Sequence, residues 1–124
     1  MLSHAEARKY IVAGFKAIFG REPTVPEAQA VQGVGWLETQ YASGWRSDTK
    51  PNWNWGAIQS GRPPCNPATS FQYTDTHPTA SGASIPYTIC FAKYATPEAG
   101  AAALVREVYQ KRPKVLAAAT AGDL

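Results

Sequence analysis

The chain has only two cysteines, two histidines and one methionine in 124 residues. Two cysteines exclude a dense disulfide scaffold and a four-thiolate metal site. His4 and His77 lie far apart, with no cluster of cysteines or acids around them. No metal site and no cofactor is therefore expected. No apolar run approaches the roughly 20 residues of a membrane span, so none is expected. The first ten residues, MLSHAEARKY, lack the charged-then-apolar layout of a secretory signal. There is no glycine-rich phosphate loop. Ser43-Gly44 and Ser81-Gly82 are loop dipeptides, not nucleophile elbows. Charge of either sign is modest too: twelve Lys and Arg against nine Asp and Glu give +3. That is a mild bias toward anionic partners. With no nucleic-acid-binding motif, nucleic acid is not the expected one.

What the chain does have is apolar and aromatic mass. Hydrophobic residues make up 44%, including four Trp, six Tyr and four Phe, which suffices for a single folded domain over residues 1–124. No repeat is visible. Ser3 and Glu6 have capping-box spacing, an apolar stripe of Ile11, Phe15, Ile18 and Phe19 follows, and Gly20 stops this first helix. Thr24 and Glu27 repeat the capping-box spacing, with Pro26 in the first turn, and this helix is expected to run to about Tyr41. Residues 45–70 are rich in Trp, Asn, Pro and Gly and read as irregular. Two strand-like runs, FQYTDT from Phe71 and IPYTICFAKY from Ile85, predict a small antiparallel hairpin with a long tip. Thr96 caps a third helix with Pro97 at its first position, and Pro113 opens a fourth, Ala-rich one ending near Gly122. Lys111, Arg112 and Lys114 read as a solvated helix end. Asp123 looks like the N-cap of a further helix, so a C-terminal helix is expected to be missing or supplied by a partner chain. The layout is α+β, mainly α.

One residue breaks the pattern. Val31 and Val34 precede Glu38 by seven and four positions, and Tyr41 follows by three, so Glu38 is expected on the core-facing stripe of its helix. A carboxyl group in apolar surroundings tends to be neutral, and a neutral carboxyl is what a general acid needs. Turning out to pair with Arg46 is the alternative. Gly33 and Gly35 in the same helix suggest close packing. After a loop comes NWNWGAIQ, Asn52 to Gln59. Trp53 and Trp55 offer flat faces of the kind that stack on sugar rings, the alternative for Trp55 being the core. The amides of Asn54 and Gln59 can bond sugar hydroxyls and acetamido groups, and Gly56 would let backbone approach a ligand. Phe71, Tyr73 and Asp75 alternate onto one strand face, which makes Asp75 the best candidate for a second carboxylate, ahead of Asp48. Cys65 and Cys90, if bonded, close a loop of about 26 residues, worth roughly 3.5 kcal/mol on the chain-entropy account. Two buried free thiols are the alternative; the bond is expected, and it would tie the loop to the hairpin.

A Glu ending one helix, then the Asn54 to Gln59 segment, a hairpin and FAKYATPEAGAAALVREVY resembles, in that order, the lysozyme-like peptidoglycan hydrolases. The likeness is to the bacterial and phage glucosaminidase and lytic transglycosylase branches and covers roughly residues 24–122. It implies a lysozyme-like domain that cleaves the β-1,4-linked glycan strands of peptidoglycan outside the cytoplasm. It also implies Glu38 as the general acid, Asn54 to Gln59 as the cleft floor and Tyr94 as the tyrosine at the hairpin's end. A wall polymer carrying carboxylates and phosphates also suits the +3 charge. A non-catalytic wall-binding module, or a structural part of a phage tail or secretion assembly, are the other readings.

Overall fold

Ser3 begins the first helix as expected: its side chain accepts from Glu6 N and the Glu6 carboxylate accepts from Ser3 N, so both halves of the capping box are formed. This is α1, His4–Phe19, and it ends at Gly20 in the left-handed region with φ +69°. The computed structural model describes residues 2–42 and 52–121, apart from the side chains of Asp75 and His77. Thr24 and Glu27 form a second capping box for α2, Val25–Thr39. The hairpin strands are β2, Ser70–Pro78, and β3, Ser84–Ala92, paired so that Phe71 lies opposite Phe91, Tyr73 opposite Ile89 and Asp75 opposite Tyr87. A short strand that sequence reading missed, β1, Gln59–Gly61, pairs with the other edge of β3, giving a three-stranded antiparallel sheet in the order β1-β3-β2. Thr96 caps α3, Pro97–Lys111, and Pro113 opens α4, Pro113–Thr120. Gly122 and Asp123 lie outside the described residues, as do Asp48 and Arg46. No described helix is long and apolar enough to cross a membrane.

The core lies between the helices. Ile11 and Phe15 of α1, Val31 and Val34 of α2, and Leu104, Val105 and Val108 of α3 are all buried and form one cluster with Tyr41 and Trp55. Burying each large aliphatic or aromatic side chain contributes about 1.5–3 kcal/mol. Two glycines of α1 and α3 decide how closely the elements approach. A Cβ on Gly14 would stand 2.9 Å from the Ala102 backbone, and one on Gly100 would stand 1.9 Å from the Trp53 carbonyl oxygen. The 52–56 segment is thereby pressed onto α3. The expected disulfide is present: Cys65 and Cys90 are bonded, with Cα atoms 5.6 Å apart, and join the loop before β2 to β3.

Candidate active site

The end of α2 differs from the sequence expectation in a way that sets the site. The helix stops at Thr39, and Gln40, Tyr41 and Ala42 follow with φ of +50°, +59° and +63°. Three successive non-glycine residues in this region need outside support. Thr39 supplies much of it. Its hydroxyl donates to Trp55 O at 2.7 Å and accepts from Ala42 N at 2.8 Å. Tyr41 N closes the turn on Gly35 O at 3.1 Å. The left-handed turn swings Tyr41 back into the core, where its ring meets Trp55 with centroids 5.5 Å apart. Tyr41 is therefore not helical, and the stripe drawn through it is wrong at its last point. Thr39, not Glu38, is the buried polar residue here.

Glu38 instead opens onto a cleft of about 510 Å³ lined by Gly56, Ala57, Gln59, Tyr73, Tyr87, Phe91, Glu107, Lys111 and Arg112 as well. Its side chain is 32% exposed, and Oε1 accepts from Arg112 Nη2 at 2.8 Å. The partner is thus Arg112, 74 positions along the chain. Glu107, 17% exposed, faces the same cleft and pairs with Lys111 at 3.5 Å, one helical turn on. Lys111 and Arg112, read as a solvated helix end, are cleft residues. So are Glu107, Tyr87 and Phe91, none of which had been singled out. Strand alternation carried a signal for Tyr87 and Phe91 alone, which share a sheet face with Tyr73.

Among the residues expected to bind ligand, Gly56, Gln59 and Tyr73 line this cleft, whereas Trp53, Asn54, Trp55 and Tyr94 do not. Trp55 is fully buried among Tyr10, Tyr41 and Leu104, and Trp53 is buried beside it. They are core residues, not sugar platforms. Asn54 is buried too, and its amide is spent on the backbone. It donates to Ile58 O at 3.0 Å and Ala92 O at 2.9 Å and accepts from Ile58 N at 2.9 Å. That clamp fixes the 54–58 turn to the end of β3 and so presents Gly56, Ala57 and Gln59 to the cleft. Gly56 earns its place by packing as well, since a Cβ there would meet Leu104 Cδ1 at 3.1 Å. Gly35 sits closer still, since a Cβ there would meet Leu104 Cδ2 at 2.9 Å, but Gly33 is open to solvent and has no packing role. Tyr94 is half-buried, and burial pushes its phenol above the ordinary range. Trp36 and Tyr41 contact His4 and do not line this cleft.

The exposed wall of the cleft is aromatic. Tyr73 is 45% exposed, and its ring stands edge-on to Phe91 at 5.9 Å. Asp75 pairs with Tyr87 in register, and its side chain lies outside the described residues. Among the described residues there is no cluster of three or more His, Cys, Asp or Glu that could hold a metal.

Comparison with known proteins adds one finding. The fold is similar to an autolysin's catalytic domain. That domain, from the autolysin Auto of Listeria monocytogenes, superposes with a TM-score of 0.55 at 14% identity, over 85% of this chain and 53% of the other. This chain thus spans about half the length of that neighbour. At that identity the likeness is one of fold. No protein-family model matches the chain. No curated protein matches it either.

Proposed function

We propose that this chain is a cell-wall hydrolase domain of lysozyme-like type, cleaving the glycan strand of peptidoglycan with Glu38 as the general acid. The observation that carries the reading is the position of Glu38: it ends a helix, at the mouth of a cleft with an aromatic wall, in a fold similar to an autolysin's catalytic domain. Glu38 would protonate the glycosidic oxygen as the bond to the anomeric carbon breaks. The oxocarbenium-like centre is then relieved by water activated at Asp75, or by the substrate's own acetamide or 6-hydroxyl. The last route, through the 6-hydroxyl, needs one carboxylate only and closes an anhydro ring on the sugar. We favour it, because Asp75 stands on β2 toward the hairpin tip, a poor place to hold a base within reach; that tip is shorter than expected and spans residues 79–83. In that case Asp75→Asn changes the rate little and the products carry anhydro ends. Reducing ends that disappear in Asp75→Asn would reverse the preference. The setting suits an enzyme working at the wall, where a disulfide persists.

A second reading, a wall-binding module without turnover, is favoured by one observation: the Glu38 carboxylate is engaged by Arg112. The two readings part on a zymogram of purified cell walls. Clearing by the wild type, absent in Glu38→Gln, supports the enzyme; binding without clearing supports the module.

A further inference from the structure

The contact between Glu38 and Arg112 poses a problem that follows from the proposed role of Glu38, on which this inference rests. A general acid must give up a proton as the bond breaks. A guanidinium carries donors only and pairs best with an ionised carboxylate. The arrangement at 2.8 Å therefore suits a resting site and not a proton-donating one. Arg112 has to leave before Glu38 can act. Within the described cleft the remaining acid, Glu107, already faces Lys111 at 3.5 Å. An anionic group brought in by the ligand is the chemistry that draws a guanidinium away.

Arg112 is well placed for such an exchange. It is the joint between α3 and α4, with φ −130° and ψ 50°, and belongs to neither helix. Its side chain is half-exposed, and ion pairs between such side chains are weak, so trading one carboxylate for another is nearly free. Lys111 stands next to it in the same cleft, with an exposed ammonium in a long pair to Glu107. Two cations and an aromatic wall together fit a sugar that carries a carboxylate.

We propose that a carboxylate on the glycan takes Arg112 from Glu38, with Lys111 completing the anion site, so that the acid is released only when a carboxylate-bearing sugar is bound. The ligand class is an amino-sugar strand with carboxylates on its sugars or attached peptides. Neutral chitin-type strands leave Glu38 occupied and are poor substrates.

The test compares native peptidoglycan strands with the same strands after amidation of their carboxylates, using the wild type and Arg112→Met, with thermal melts to verify folding. The wild type is expected to cleave amidated strands about 10-fold more slowly, the scale of one charge-assisted hydrogen bond. In Arg112→Met the two rates should converge. Equal rates in the wild type, an unchanged ratio in the variant, or a folded variant inactive on both strands would each overturn the proposal; the last would make Arg112 a positioning residue. A readout without turnover separates this inference from the enzymatic reading. The Arg112 Nε–Hε resonance of the wild type should move with N-acetylglucosaminyl-N-acetylmuramic acid and stay still with diacetylchitobiose. A differential shift with no wall cleavage would sink the enzyme and keep the anion site. No differential shift ends the anion site, whether or not Arg112→Met folds.

Discussion

Single side chains in this protein divide into those whose roles can be read locally and those whose roles depend on a distant partner. Glu27 belongs to both groups. Its capping role for α2 is plain from the Thr24–Glu27 spacing. Its other partners are not: Arg21 donates to both carboxylate oxygens, at 2.9 and 3.0 Å, and the Tyr109 hydroxyl, from α3, also donates to it. Arg21 above all, then the hydrogen bonds from Thr24 and Tyr109, hold the Glu27 carboxyl at about 2, against the opposing effect of burial. A depressed folded value means the stabilising contribution is complete above the ordinary carboxylate range near 4.3 and is lost as pH falls toward 2. Thermal melts of the wild type should therefore fall between pH 5 and 2 more steeply than those of Glu27→Gln. Parallel curves for the two proteins would refute this. Burial holds the Tyr109 phenol up at about 12, aided by its bond to Glu27. Trp55 shows the opposite limit of reading. An aromatic beside asparagine and glycine has the same signature whether it stacks on sugar or fills a core, and only Tyr10, Tyr41 and Leu104 around it decide.

At the scale of elements, the helix starts were legible because capping boxes are local, and α1, α2 and α3 begin at the residues their caps indicate. The end of α2 was not, because Thr39, Trp55 and Gly35 hold the left-handed turn from outside the local pattern. Strand β1 escaped for a similar reason: three residues carry no alternation to read, and pairing with β3 alone makes them a strand. The packing of α3 on the 52–56 segment yields a direct prediction. In Gly100→Ala the new Cβ would collide with the Trp53 carbonyl oxygen, a backbone atom that cannot rotate away. Denaturant melts should show a loss of at least about 3 kcal/mol, at or beyond the upper range for overpacking. A loss under about 1 kcal/mol would mean that the segment is not seated on α3 as described. The Cys65–Cys90 bond ties the loop before β2 to β3, so Cys65→Ser with Cys90→Ser should cost about 2–5 kcal/mol. Free thiols found by titration of the denatured, unreduced wild type would contradict the bond itself.

The whole molecule makes its cleft from four stretches that are remote in sequence: the end of α2, the 56–59 turn, the sheet face of β2 and β3, and the end of α3 with the residue that follows it. Two of these, Glu38 and the segment after it, were readable from order and spacing. The third was half-readable, since strand alternation singled out the face of Tyr73, and the register that brings Tyr87 and Phe91 onto that face is set by the pairing of β2 with β3. The fourth was invisible, because nothing local in Glu107, Lys111 and Arg112 distinguishes a cleft wall from a solvated helix end. The charge that opposes Glu38 thus came from the part of the chain with the blandest signature. The central claim, that this cleft cuts peptidoglycan through Glu38, meets its most direct test in purified sacculi digested by the wild type and by Glu38→Gln. The soluble products are analysed by mass spectrometry, and thermal melts are recorded on both proteins. Disaccharide-based fragments are expected from the wild type. Glu38→Gln should release them at least about 100-fold more slowly, the usual contribution of a general acid, at a nearly unchanged melting temperature. Fragment release by Glu38→Gln at the wild-type rate would remove Glu38 from the chemistry.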